Sequence, residues 1–218
     1  MAMVTNANME GMLSERFSVP VTRLQANGRH LLKAGLRESG GKGRGSTHMN
    51  GRDIGAHMLV LAMKVQTKDI VDVIGPVMQM SLRHGHWIMK DQGQMWGFDA
   101  PTTGGAFTQA LRSAGTGSKE FPTAATFGDF LGQWIDGVFE PALGTYLNGE
   151  AMVVITDIGP RADFTFHDGE NEVALSFSGT DEPAPERPIL EAKYIMRDGL
   201  FQQLYDIIKD REALPNED

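Results

Sequence analysis

The fold is decided by residues 21–54, which read VTRLQANGRHLLKAGLRESGGKGRGSTHMNGRDI. In the first part of this stretch, apolar residues and glycines recur at helical spacing, which predicts an amphipathic helix over residues 21–36. Residues 40–45 contain four glycines and two cations, so we expect a loop or a loose hairpin there rather than part of a core. Asn50 then caps another helix, which we expect to continue to about Lys64.

Outward from this stretch, the chain shows further helical and extended patterns. A short helix is expected over residues 8–16, and the Pro20 that follows is tolerated near a helix start because its missing N–H would be unpaired there. Beyond the stretch, Thr67 caps a helix in which Pro76 predicts a kink or an early stop. Residues 93–105 are expected to form a loop. The other predicted elements are a helix capped by Thr126 over about 127–147, strands over 85–89, 151–156, 162–167 and 172–178, and a final helix over 199–212.

Composition excludes several classes of protein. Apolar residues make up 41% and charged residues 22% of the 218, close to the globular average, which argues against a disordered chain or a fibre. Cysteine is absent, so disulfides, thiolate metal sites and cysteine nucleophiles are excluded. No apolar run is long enough for a transmembrane helix, and the N-terminus lacks a secretory signal pattern. We therefore expect a cytoplasmic protein that does not contact a membrane.

No motif for catalysis is present in the sequence. The glycine-rich segments lack the Gly-Lys-Ser/Thr of a phosphate-binding loop, and no nucleophile elbow, zinc protease or deaminase pattern occurs. His84 and His86 could share a metal on a strand, but the nearest acid downstream is Asp91, so a solvated pair is the prediction. We therefore predict no enzyme activity, no catalytic residues, no metal and no cofactor.

Charge is distributed unevenly along the chain. Residues 1–64 contain nine Lys and Arg against four acids, a net charge of +5, whereas residues 65–218 contain 11 against 24, a net charge of -13. A basic segment on an acidic protein is typical of a module that faces a polyanion. The alternative is a solvated basic face that binds nothing.

The amphipathic helix carries side chains that can read DNA. Arg23, Asn27 and His30 are spaced i, i+4, i+7 and are predicted to project together, so we assign them to base edges. Arg can pair with guanine, and Asn can pair with adenine. Arg29 and Lys33 add positive charge on the same helix.

The glycine-rich loop is suited to the DNA backbone rather than to the bases. Glycine allows a close approach to phosphates, and Lys42 and Arg44 supply charge, with His48 at the end of the loop. A flexible loop cannot hold a bidentate base contact without a loss of conformational entropy, so we assign Lys42 and Arg44 to phosphates.

The run RHLLKAGL over residues 29–36, a glycine- and arginine-rich loop ending at Arg44 and the run NGRDI over residues 50–54 follow one another. Together they resemble a MerR-type winged helix-turn-helix, and the resemblance covers residues 8–64. It implies that the amphipathic helix reads DNA and that residues 40–48 form the wing. The whole chain also resembles proteins of bacterial prophages that carry a GRGRG-like loop near the N-terminus.

We therefore predict an α+β protein. An N-terminal winged helix-turn-helix is followed by a helical region, a three-strand antiparallel meander and a C-terminal helix. The predicted domains are residues 1–66, which bind DNA, and residues 67–218, an acidic α+β domain for oligomerisation or partner binding. The broad apolar face from Phe127 to Phe139 is either core or an oligomer contact.

The function indicated by these patterns is binding rather than catalysis. We expect a phage- or prophage-type transcriptional regulator, or a factor that recognises genomic DNA for packaging as a small terminase subunit does. Its partners would be double-stranded DNA, further copies of the chain and a possible protein partner of the acidic region. The alternative is a phage structural or assembly protein that does not bind DNA, in which the basic segment only packs or contacts the acidic half.

Overall fold

The computed structural model describes residues 4–37, 48–89, 94–99, 126–136, 149–156, 161–179 and 193–197. Its helices are α1 (Asn6–Phe17), α2 (Val21–Lys33), α3 (Gly51–Ala62), α4 (Ile70–Met78) and α5 (Phe127–Ile135), with a 3-10 turn at Thr67–Asp69. Its strands are β1 (Val4–Thr5), β2 (His48–Met49), β3 (Ser81–Met89), β4 (Gln94–Asp99), β5 (Glu150–Thr156), β6 (Arg161–His167), β7 (Asn171–Ser178) and β8 (Lys193–Arg197). The protein is α+β, as predicted.

Six of the strands form one antiparallel sheet in the order β4-β3-β7-β6-β5-β8. The strands predicted over 151–156, 162–167 and 172–178 are β5, β6 and β7, which are neighbours in this sheet. The turn between β6 and β7 places Gly169 at φ 90°, a value that glycine adopts without strain. β1 and β2 form a separate two-stranded ribbon.

The sheet is larger than the sequence predicts. The predicted loop over 93–105 is wrong for residues 94–99, which form β4 against β3. Residues 193–197, for which the pattern predicts no element, form β8 against β5. In both places the neighbouring strand supplies backbone hydrogen bonds, which the pattern within one strand does not reveal. The helix predicted over 199–212 lies outside the described residues.

Helix ends follow local hydrogen-bonding chemistry. Asn50 and Asp53 form a capping box at the start of α3, and the Asp53 N–H donates to the Asn50 side chain at 2.8 Å. Thr126 caps α5 through the N–H of Asp129, at 3.2 Å. Thr67 does not cap its helix as predicted, because a 3-10 turn separates it from α4. Pro76 lies inside α4, which ends two residues later at Met78.

Aromatic side chains of α5 form the centre of the core. Phe130 and Trp134 contact Phe164 of β6, with ring centroids 4.7 and 4.5 Å apart, and Phe127 contacts Phe177 of β7 at 5.3 Å. Such edge-to-face pairs contribute about 0.5–1.5 kcal/mol each beyond the burial of their area. Of the two alternatives for this apolar face, core or oligomer contact, its described part is core, because those side chains are buried within the chain.

The same core contains residues from both sides of residue 66, the predicted boundary between the two domains. One cluster of buried residues includes Leu24 and Leu31 of α2 together with Phe164 and Phe177 of the sheet. Helix α3 packs closely on α5, which follows it by more than sixty residues in the chain. The predicted boundary therefore does not coincide with a break in the packing, and α3 joins the N-terminal helices to the sheet.

Candidate nucleic-acid interface

A turn of three residues separates helices α1 and α2. Ser18 takes a left-handed conformation at φ 51°, and the N–H of Val19 bonds back to the Ser14 carbonyl at 3.1 Å. Pro20 then precedes α2, and its carbonyl accepts from the N–H of Arg23 at 2.9 Å. A turn of three or four residues between two helices is the general form of helix-turn-helix modules.

Helix α2 ends in a motif that its sequence explains. Gly35 lies at φ 69°, its N–H donates to the Leu32 carbonyl, and the N–H of Leu36 donates to the Leu31 carbonyl at 3.0 Å. These are the two bonds of a Schellman motif, and Leu31 and Leu36 are both buried beside them. The helix stop predicted at this glycine is confirmed, although the regular helix ends at Lys33 rather than at Leu36.

One of the predicted base readers lies on the wrong side of α2. Asn27 is 0% exposed, and its side-chain oxygen accepts a hydrogen bond from the Thr67 hydroxyl at 2.9 Å. The prediction that Asn27 projects with Arg23 and His30 is therefore wrong. The signal was in the spacing, because Asn27 stands three residues after Leu24 and four before Leu31, both of which are buried.

The solvent-facing side of α2 is positively charged. Arg23, Arg29, His30 and Lys33 are all exposed, and the helix contains no acidic residue. With about 100° of rotation per residue, Thr22, Arg29 and Lys33 lie on the line directly opposite the buried residues. Arg23 and His30 are seven residues apart, so they lie together along one side of that outward line, between it and the buried Asn27.

The predicted wing falls mostly outside the described residues. Lys42 and Arg44 belong to that part of the chain. His48 lies in β2, where its backbone is paired with Thr5 of β1. The described partner of β2 is therefore the N-terminal strand rather than a strand of a hairpin within residues 40–48.

Behind α2, a small polar cluster is buried against α3. We call it the Arg37–His57 cluster; Gly28 of α2 forms its floor. A Cβ at Gly28 would lie 2.6 Å from Arg37 Nη1 and 3.4 Å from His57 Nε2, so both nitrogens occupy the space that a side chain would fill. Arg37 is 8% exposed and His57 is 1% exposed. Burial, together with the neighbouring guanidinium of Arg37, lowers the pKa of His57 to about 4, so its imidazole is neutral at pH 7.

The opposite side of α3 carries a second group with a shifted pKa. Asp136 follows α5 and accepts a hydrogen bond from the N–H of Gly51, the first residue of α3, at 2.9 Å. Burial raises the pKa of Asp136 to about 6, and the hydrogen bond from Gly51 partly opposes this shift. Asp53 raises the pKa further through charge repulsion.

The two histidines considered as a metal pair from the sequence lie on one strand. His84 and His86 lie on β3, and His86 Nε2 is 3.6 Å from a carboxylate oxygen of Glu172 on β7. Within the described ranges, no three His, Asp or Glu side chains are grouped closely enough to hold a metal ion. On the same face of the sheet, Glu150 and His167 help line an open groove of about 390 Å³.

Comparison with known proteins does not identify a relative of this chain. In the part of the chain that the structure describes, no helix has both the length and the apolar character needed to cross a membrane. No protein-family model matches the chain, and neither the curated proteins nor the solved structures provide a match.

Proposed function

We propose that the protein binds double-stranded DNA through the exposed face of α2. One observation carries this proposal: a helix that follows a three-residue turn presents Arg23, Arg29, His30 and Lys33 to solvent and has no acidic residue. A helix of this width fits the major groove of B-form DNA, and Lys and Arg side chains release counterions from the phosphates. The DNA phosphates would attract residues 1–64, whose net charge is +5, and repel residues 65–218, whose net charge is -13. The basic part of the chain would therefore face the DNA.

The burial of the residues of α2 supports a different division between base contacts and phosphate contacts from the one predicted by their spacing in the sequence. Arg29, on the outward line of α2, would pair with guanine, and Thr22 lies about two helical turns earlier on the same line. Arg23 and His30 lie together on one side of this line and would meet phosphates at one edge of the groove. Asn27 has no role in base reading, because it is buried. Lys42 and Arg44 remain proposed phosphate contacts on the grounds of sequence.

The module would be of the winged helix-turn-helix type that the sequence resembles. One such module binds weakly, so we propose that the protein acts as an oligomer, in transcriptional control or in the recognition of genomic DNA for packaging. The absence of cysteine favours the reducing cytoplasm as its location. A phage assembly protein without DNA binding is the competing function.

Binding to DNA is tested on the full chain, because α3 ties the helix-turn-helix to the sheet. Fluorescence anisotropy with a random duplex between about 50 and 200 mM salt should show a steep loss of affinity. Arg23→Ala should weaken all sequences alike and lower the salt slope by about one unit. The matched control is Arg161→Ala, which removes a cation from the sheet, where Arg161 pairs with Asp163 at 2.8 Å. Absence of binding at low salt, or an equal effect of both variants, would favour the assembly protein.

Base reading is tested by site selection from randomised DNA. Arg29→Ala should cost about 1–3 kcal/mol on the preferred site and relax the preference at one base pair. Arg23→Ala should leave the selected sequence unchanged. The opposite result would exchange the roles of the two arginines, while DNA binding itself would stand.

A further inference from the structure

The Arg37–His57 cluster contains buried polar atoms without hydrogen-bond partners. Among the described residues, nothing pairs with Arg37 Nε, with either ring nitrogen of His57, or with the buried amide nitrogen of Asn27, the neighbour of Gly28. None of the ion pairs between described residues involves Arg37. The cluster is therefore rich in N–H groups and, over the ranges that the structure describes, lacks a carboxylate.

Such an arrangement is unusual for a group that serves packing alone. A buried guanidinium is normally paired with a carboxylate or held by several acceptors, because its burial otherwise has a high energetic cost. A neutral imidazole offers one donor and one acceptor, and proteins usually satisfy both when the ring is buried. Gly28 contributes to the arrangement, since any larger residue would fill the space that Arg37 Nη1 and His57 Nε2 occupy.

We propose that the Arg37–His57 cluster binds a small oxyanion, a carboxylate or a phosphate group, between α2 and α3. The guanidinium would supply charge and two parallel donors, as it does for carboxylates and phosphates elsewhere in proteins. The N–H of His57 would add a third donor. The anion would enter the cluster beside Arg37, because Arg37 keeps 8% of its surface exposed, whereas Asn27 and His57 are at most 1% exposed.

The burial of the cluster separates it from the DNA-facing side of α2. Gly28 and Asn27 lie on the buried side of the helix, and Arg29 and Lys33 lie on the outward line. A phosphate held within the DNA backbone is too bulky to reach a site enclosed by two helices. The occupant is therefore a free small anion, and the site does not depend on the proposed DNA binding.

The proposal is tested by thermal unfolding of the full chain at pH 7 with inorganic phosphate or acetate, at an ionic strength held constant with sodium chloride. At least one of the two anions should raise the midpoint in a saturating manner, by about 5–10 °C at a hundredfold excess over its Kd. Arg37→Met should abolish the saturating rise, and the surface control Arg161→Met should retain it. A rise that is linear in anion concentration and equal in all three proteins is a general salt effect and would overturn the proposal.

A second readout does not depend on whether Arg37→Met folds. In NMR spectra of the wild-type protein, the imidazole signals of His57 should move and saturate with the same anion, while those of the exposed His84 should stay in place. Unmoved His57 signals would overturn the proposal. Duplex DNA alone should leave His57 unchanged; if DNA moves the signals as phosphate does, the anion is the DNA backbone and the small-ligand site is wrong.

Discussion

On the side of α3 that faces α5, glycines bring the two helix backbones together, whereas on the side that faces α2 a buried histidine lies beside a buried arginine. A Cβ at Gly132 of α5 would lie 2.8 Å from the backbone nitrogen of Arg52, and one at Gly51 would collide with the Gly132 carbonyl. Across the other face, His57 and Arg37 meet over Gly28 and leave polar atoms unpaired. The first contact depends on shape and the second on polar chemistry. The α5 side should therefore be the more sensitive to added volume, and the α2 side the more sensitive to acid.

The largest expected effect is acid sensitivity at the α2 side. In the folded protein the pKa of His57 is lowered to about 4 from an ordinary value near 6.5. The contribution of His57 to the free energy of unfolding is therefore full above pH 6.5 and is lost as the pH falls towards 4. The loss amounts to about 3 kcal/mol at pH 4. His57→Leu should remove it and leave the stability at pH 7 within about 1 kcal/mol of the wild type, since an unpaired polar group is replaced by an apolar one.

Denaturant unfolding of both proteins at intervals from pH 7 to pH 4 measures this difference. The stability of the wild type relative to His57→Leu should fall as the solution is acidified. Parallel profiles would mean that His57 is solvated or paired, and that the two faces of α3 do not differ in the way described.

The next largest effect is overpacking at the α5 side. In Gly132→Ala the new methyl group meets backbone atoms of Arg52, which cannot rotate away, so the helices must separate. We expect a net loss of about 2 kcal/mol, after the gain of about 1 kcal/mol in helix propensity. The matched control is Gly11→Ala in α1, an exposed position where the new Cβ would meet no atom of another part of the chain within 4 Å. The control should gain about 0.5–1 kcal/mol.

Urea unfolding of the two glycine variants at pH 7 gives both values. If Gly132→Ala gained stability as Gly11→Ala does, the close approach of α3 and α5 would be refuted.

These two faces also show which features the sequence could predict. The capping of α3 by Asn50 and Asp53 depends on residues three apart, so the local pattern predicts it correctly. The alternation of β5, β6 and β7 likewise reports one buried face, as in the run Val173, Leu175 and Phe177. Strands β4 and β8 were missed because their stability comes from pairing with a distant strand.

The candidate site was only partly predictable for the same reason. The charge of α2 and the short turn before it are local properties, and the exposure of Arg23, Arg29, His30 and Lys33 agrees with the prediction. Asn27 was misplaced because its polarity was given more weight than its position between Leu24 and Leu31. The Arg37–His57 cluster had no signal in sequence, since it joins three separate segments of the chain through Gly28.

A smaller effect is expected at Asp136, which titrates in the opposite sense to His57. Its pKa is raised to about 6 from an ordinary value near 3.8. The contribution of Asp136 to the free energy of unfolding is therefore full below pH 3.8 and is lost as the pH rises through 6. Asp136→Asn keeps an acceptor for the N–H of Gly51 and removes the charge. We expect a gain of about 1 kcal/mol at pH 7, because solvent screens a carboxyl that is only partly buried.

The same unfolding series from pH 7 to pH 4 tests this sign. The advantage of Asp136→Asn over the wild type should shrink as the pH falls. A loss of stability at pH 7 would show that the charged hydrogen bond to the start of α3 outweighs the burial of the carboxylate.

The smallest effect concerns the C-terminal end of α3, which lies on neither of the two faces compared above. Lys64 lies at φ 53° in a Schellman motif, and the N–H of Val65 donates to the Val60 carbonyl at 3.0 Å. A left-handed conformation costs a non-glycine residue about 1–2 kcal/mol, part of which glycine offsets by its greater freedom in the unfolded chain. Lys64→Gly should therefore gain about 0.5–1 kcal/mol. Gly35→Ala, at the equivalent position of α2, should lose about as much, because it introduces a Cβ at φ 69°. Thermal unfolding at pH 7 compares the two, and shifts of the same sign would mean that the two helices do not end in the same motif.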